Sequence, residues 1–107
     1  MKISWTGPAR AELRAIRGYL ERPRTAARII RSIRSRVRLL QRFPLSGRVI
    51  PEYGDPNLRE VIVGQFRVFH RIHEDRIEIL HVLDAHKLLS SSSISEAVVE
   101  YGIERSV

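Results

Sequence analysis

Apolar and β-branched residues dominate three runs, Leu58–Val63, Phe66–His73 and Arg76–Leu83, which are separated by the pairs Gly64-Gln65 and Glu74-Asp75. Breaks of this length are typical of tight hairpin loops, so the pattern predicts three antiparallel strands in a meander. A small sheet is stable only when one of its faces is covered. We therefore expect the residues before position 58 to supply that cover.

Two amphipathic helices are predicted upstream of these strands. From Pro8 to about Glu21 the apolar residues are spaced 4, 3 and 4 positions apart, and from Pro23 to about Arg42 they are spaced 4, 3, 4 and 3 apart. At about 100° per residue, each set forms one stripe along a helix. Thr6 is placed to cap the first helix, and proline suits the first turn of both. The helices should form an antiparallel hairpin whose apolar stripes lie on the sheet.

The complete pattern predicts an α+β fold. A short strand, Lys2–Trp5, is expected to return beside the meander and complete a mainly antiparallel, four-stranded sheet under the helical hairpin. The segment Pro44–Asn57 is rich in Pro and Gly, and its VIPEY run is expected to form an edge element because proline is tolerated there. We assign residues 1–89 to one domain and residues 90–107 to a C-terminal tail. In the tail, Ser90–Ser93 is expected to be a hinge and Ile94–Tyr101 a short helix.

The run Phe66–His73 alternates between two kinds of side chain, which lie on opposite faces of a strand. We assign Phe66 and Val68, with their neighbours on the same face, to the helix-covered core. The opposite face carries Arg67, Phe69, Arg71 and His73. We expect this face to be open, because an aromatic ring among cations suits a partner peptide or a nucleic acid base. The alternative is that the C-terminal tail covers Phe69.

Charge is unevenly distributed along the chain. Residues 1–42 carry twelve Lys or Arg against two Glu, residues 43–107 carry seven against ten Asp or Glu, and the formal net charge is +7. Most arginines of the second helix face away from its apolar stripe. This arrangement predicts an acidic partner protein, with only nonspecific attraction to nucleic acid. The members of this set that we expect to contact a partner are Arg28, Arg31 and Arg38.

The composition argues against several classes of site. The chain has no cysteine, which excludes a disulfide framework and a thiolate metal site and fits a reducing cytoplasm. His70 and His73 are three apart on a strand and should point to opposite faces, so we expect no metal site and no cofactor. No apolar run is long enough to span a membrane, and MKISWTGPAR lacks the hydrophobic region of a signal peptide.

Several motifs resemble the RelE/ParE superfamily of bacterial type II toxins, over about residues 2–89. The runs that resemble its ParE branch are SWTGPARAELRAIRGYL, PRTAARII, RFPLSGRVIPEY, LREVIVGQFRVFHRI and IEILHVLDA. The resemblance implies a fold of strand, helical hairpin and three-strand meander. It also implies a ParD-like antitoxin, whose acidic segment wraps across the toxin, and DNA gyrase as a target that is inhibited by binding, without catalysis.

The RelE branch of the superfamily implies a different activity, ribosome-dependent cleavage of mRNA by a cluster of Lys, Arg and usually Tyr. In that case the catalytic residues would be Arg59, Arg67, His86 and Lys87. No tyrosine lies between Tyr53 and Tyr101, so this set is incomplete and the ParE branch is favoured. The last strand ends in Asp84-Ala85-His86-Lys87, where the ParE branch usually has a His-Gly-x-Arg-like ending. A third interpretation, a non-toxic binding module on the same fold, therefore stays open.

Overall fold

The structure, a computed structural model, describes residues 1–19 and 21–88. The helices are α1 (Gly7–Tyr19), α2 (Pro23–Leu39) and α3 (Ala85–Leu88), and the strands are β1 (Lys2–Trp5), β2 (Arg48–Val49), β3 (Leu58–Val63), β4 (Phe66–Ile72) and β5 (Arg76–Asp84). The predicted strands and both long helices are confirmed. The predicted hinge Ser90–Ser93 and helix Ile94–Tyr101 lie outside the described residues.

The strands form one sheet in the order β1-β5-β4-β3-β2. β1 runs parallel to β5, with Lys2 opposite Arg76 and Trp5 opposite Ile79, and the other neighbouring strands are antiparallel. The α+β fold and the return of β1 beside the meander are thus confirmed. The sheet has five strands rather than the predicted four, because the two residues of β2 pair with β3 at the edge.

The first face of the sheet is covered by α1 and α2, as the apolar stripes predicted. The buried residues of α2 are Ala26, Ile30, Ile33 and Val37. They pack in one cluster with Phe66 and Val68 of β4. Each large apolar side chain that is fully buried contributes about 1.5–3 kcal/mol, so this cluster is the principal source of stability. It fixes the helical hairpin in one position on the sheet.

The second face of the sheet is not open, so the prediction that Phe69 is exposed is wrong. The segment that follows β2 folds back over this face, and Phe69 is fully buried with Ile50, Leu58 and Leu83. A bulge in β5 brings Leu80 against the same cluster. The C-terminal tail is not needed for this burial, since all of these residues belong to the described part of the chain.

The start of α1 is fixed to the edge of β5 where β1 ends. The hydroxyl of Thr6 donates to the carbonyl of Ile79 at 2.9 Å and accepts a hydrogen bond from the N–H of Ala9 at 3.2 Å, which confirms its role as a cap. Further along the same edge, Glu12 accepts a hydrogen bond from the N–H of Val82 at 3.0 Å. These contacts provide hydrogen-bond partners for backbone groups at the edge of β5, and they orient α1 over the sheet.

Candidate functional site

A buried cluster of charges surrounds Arg67 on β4. Its side chain is 5% exposed and donates hydrogen bonds to both carboxylate oxygens of Glu60, from Nε at 3.1 Å and from Nη2. It also donates to Glu52 at 3.3 Å. The fully buried Glu60 carboxylate accepts a further hydrogen bond from Arg48 at 3.0 Å. The guanidinium carbon of Arg67 lies 4.9 Å from the centroid of the Phe69 ring, within cation–π range.

These contacts keep Arg67 charged in spite of its burial. Burial alone lowers the pKa of Arg67, but hydrogen bonds and charge interactions with Glu60 and Glu52 outweigh it, and the pKa is raised. Glu60 lies on β3 and Glu52 on the segment after β2. The cluster therefore joins that segment to the sheet, and Arg67 holds the two together instead of facing solvent.

The structure does not bring together Arg59 and Arg67, the two arginines of the RelE-like prediction. Arg67 pairs with Ile62, which lies three residues beyond Arg59 on β3. Because side chains alternate along a strand, Arg59 and Arg67 point to opposite faces of the sheet. His86 is exposed on α3, and the side chain of Lys87 is outside the described part of the structure.

Two other predicted contact residues, Arg71 and His73, lie beside the turn that precedes β3. Arg71 Nη1 is 3.6 Å from Asp55 Oδ2, and His73 Nε2 is 3.1 Å from Glu78 Oε1. Both side chains are partly exposed, and with Tyr53 they line a groove of about 550 Å³. Each basic side chain already has an acidic neighbour, so this groove has little net charge to attract a partner.

The turn before β2 packs tightly against the sheet at Gly47. A Cβ atom at this position would lie 2.8 Å from the carbonyl oxygen of Glu60 and 2.8 Å from Cε1 of His70, so the position requires glycine. His70 is fully buried. That burial, together with the positive charges of Arg36 and Arg59, lowers the pKa of His70 to about 4. The imidazole is therefore neutral near pH 7. His70 is a residue of the core and does not act as a general acid.

A groove with an apolar floor and a cationic rim lies between α1, α2 and β1, and its volume is about 540 Å³. The floor is formed by Ile3, Trp5, Leu13 and Val37, and the rim by Arg10, Arg14, Arg34, Arg38 and Gln41. We call it the arginine-rimmed groove. It suits an acidic amphipathic segment, because apolar side chains can be buried on the floor while carboxylates meet the rim.

Only part of this groove was predictable from the amino-acid sequence. Of the partner-binding residues predicted from the sequence, Arg38 alone lines it, whereas Arg28 and Arg31 are exposed elsewhere on α2. The residues that were missed as a binding site are Trp5, Arg10, Arg14 and Arg34. The arginines of α1 do lie beside its apolar stripe, which was an available signal. The floor could not be predicted, because it forms only where two helices and an edge strand meet.

Within residues 1–19 and 21–88, no three His, Cys, Asp or Glu side chains are grouped so that they could hold a metal ion. His81 instead contacts Glu12, with 3.1 Å between Nδ1 and Oε1. No helix among these residues is long and apolar enough to cross a membrane.

The chain matches a known protein family over most of its length. Residues 3–89 match the family described as ParE toxin of type II toxin-antitoxin system, parDE. Among solved structures, a chain described as the chromosomal ParDE TA system from P. aeruginosa is similar, with a TM-score of 0.63 and 28% identity. That match covers 77% of this chain and 92% of the other. No curated protein sequence matches. The residues in the family match include all those that line the arginine-rimmed groove.

Proposed function

The chain belongs to the family of ParE toxins of type II toxin-antitoxin systems, and we propose that it inhibits DNA gyrase by binding it and is neutralised by a ParD-like antitoxin. The family match over residues 3–89 carries this proposal. Gyrase is the target that the resemblance to the ParE branch implies, and the similar P. aeruginosa chain belongs to a ParDE system. On this proposal the protein acts in the cytoplasm through its contact surfaces, without a catalytic step.

The positions of Arg59 and Arg67 support inhibition by binding over cleavage of RNA. A ribonuclease without a metal needs several cationic and proton-transferring side chains that converge on one phosphate. Arg67 is instead held between Glu60 and Glu52, and Arg59 points to the other face of the sheet. In this arrangement the two arginines do not reach a common phosphate.

The arginine-rimmed groove is the surface that we propose for the antitoxin. Apolar side chains of an acidic segment would be buried against Trp5 and Leu13, while its carboxylates would meet Arg34 and Arg38. A segment that becomes ordered on binding needs such apolar anchors to offset its lost conformational entropy. The cationic rim would increase the rate of association and exclude basic competitors.

Inducible expression in bacteria tests the target. We expect growth to stop, the purified protein to inhibit supercoiling by gyrase, and reporter mRNA on ribosomes to stay intact. Ribosome-dependent cleavage of the mRNA with supercoiling unaffected would overturn the gyrase proposal in favour of the RelE-like activity. Normal growth at high expression would instead support the non-toxic binding module.

Paired charge reversals test the antitoxin surface. Arg34→Glu with Arg38→Glu changes the groove rim, and Arg28→Glu with Arg31→Glu changes the outer face of α2, with all four residues exposed. We expect the first pair to weaken binding of the antitoxin encoded beside the toxin by at least about tenfold and the second to have a smaller effect. Isothermal titration of each variant gives the comparison. A loss of affinity confined to the second pair would show that the antitoxin binds the outer face of α2 and not the groove.

A further inference from the structure

The C-terminal tail complements the arginine-rimmed groove in both charge and apolar pattern. Residues 89–107 contain three glutamates and one arginine, in a chain whose formal net charge is +7. The glutamates, Glu96, Glu100 and Glu104, are spaced by four residues, and the first two would lie on one side of the predicted helix Ile94–Tyr101. The apolar residues Ile94, Val98 and Tyr101 would form a second stripe. The tail therefore has the chemistry of the acidic amphipathic segment that this groove suits.

We propose that residues 94–104 dock in the arginine-rimmed groove of their own chain. The apolar stripe of the tail lies on the floor beside Trp5 and Leu13, and its glutamates meet the arginine rim. On the second face of the sheet, Phe69 is already fully buried by Ile50 and its neighbours, so this aromatic ring is not available to the tail. The tail is thus an internal occupant of the groove.

The length of the intervening chain fits this contact. Asp84, the last residue of β5, is five residues beyond Ile79, which lies opposite Trp5. At ~3.3 Å per residue, the offset along the sheet is about 17 Å. Residues 89–93 span about the same distance when extended. The extended length of residues 89–93 is therefore equal to the offset along the sheet between Asp84 and the level of Trp5.

A docked tail also affects antitoxin binding, and this consequence alone rests on the proposed function. An antitoxin that uses the arginine-rimmed groove has to displace the tail first. Its apparent affinity is then the intrinsic affinity multiplied by the fraction of molecules whose groove is free. Weakening the contact between tail and groove should therefore tighten antitoxin binding, although the substitutions are in the tail and not in the groove.

Trp5 provides a direct readout of the groove, because it is the only tryptophan of the chain and lies on the groove floor. The test variant of the full-length chain carries Glu96→Lys, Glu100→Lys and Glu104→Lys. The matched control carries the same change of charge at three exposed residues of the folded domain, Glu21→Lys, Glu74→Lys and Asp75→Lys. We expect the tail variant to shift the ratio of docked to free tail by about tenfold. Quenching of Trp5 by acrylamide should rise and its emission should move to longer wavelength, whereas the control should match the unmodified protein.

An exchange of charges tests whether the tail and the rim are in contact. Arg34→Glu with Arg38→Glu should expose Trp5 to quencher, and adding Glu96→Lys with Glu100→Lys should restore its protection. Thermal unfolding verifies that each variant is folded. Equal Trp5 quenching in the tail variant and the unmodified protein would overturn the proposal, as would protection that increases with protein concentration, which assigns the groove to a second copy. These measurements need neither gyrase nor antitoxin, so their outcome is independent of the proposed function.

Discussion

The substitution Arg67→Met removes a buried cation while keeping much of its side-chain volume. It leaves the Glu60 carboxylate, which is fully buried, with Arg48 at 3.0 Å as a cationic partner whose side chain is 58% exposed. Removal of one member of a buried ion pair costs about 3–5 kcal/mol, because the remaining charge stays in a poorly solvated site. The contact with Arg48 offsets part of that penalty. We therefore expect the free energy of unfolding to fall by about 3 kcal/mol, at the lower end of this range.

Urea unfolding followed by Trp5 fluorescence measures this loss, and a double-mutant cycle identifies its origin. Glu60→Leu alone should also destabilise the protein, since it leaves Arg67 with Glu52 as its acidic partner. The double variant replaces both buried charges with apolar groups, so its loss should be smaller than the sum of the two single losses by at least about 1.5 kcal/mol.

The control for Arg67 is Arg76→Met. Arg76 forms an ion pair of 3.2 Å with Asp75, a length similar to the contacts of Arg67, but the two side chains are 38% and 76% exposed. Its loss should cost about 0–1 kcal/mol, because water already screens the charges. A stable Arg67→Met variant that no longer inhibits growth would refute our reasoning, since Arg67 would then act on the target and not on the fold.

Three further substitutions test the packing of the sheet. Burial holds the pKa of His70 at about 4, against 6.5 for an exposed histidine. As the pH falls between those values the unfolded chain alone binds the proton, so stability should fall by up to about 3 kcal/mol. His70→Gln should flatten this part of the pH profile in urea unfolding, and an unchanged slope would contradict the assignment. Phe69→Ala should cost about 3–5 kcal/mol in thermal unfolding, whereas Phe43→Ala, at a side chain that is 56% exposed, should cost less than about 0.5 kcal/mol; equal losses would argue against the buried cluster. Gly47→Ala should cost about 1–3 kcal/mol because its Cβ has no space, whereas Gly18→Ala, with no atom within 4 Å, should stabilise α1 by up to about 1 kcal/mol; a neutral Gly47→Ala would show that the turn relaxes freely.

Local features of the sequence determined the elements of the fold. β1 and β3 begin and end at the predicted residues, because each alternating run is bounded by turn-forming residues such as Gly64 and Asn57. The helical hairpin followed from the period of its apolar stripes, and the cap at Thr6 from residue type. The cationic character of the helices was also visible, since charge is a property of composition.

Only the tertiary structure decided what covers the second face of the sheet and where a partner can bind. Alternation shows that Arg67 and Phe69 share a face, but it does not show that the irregular segment after β2 brings Glu52 and Ile50 over them. The arginine-rimmed groove likewise exists only because α1, α2 and β1 meet. Periodicity and turn chemistry act over a few neighbouring residues, whereas ion pairing, burial and groove shape depend on residues that are distant in the chain and become neighbours only when it folds.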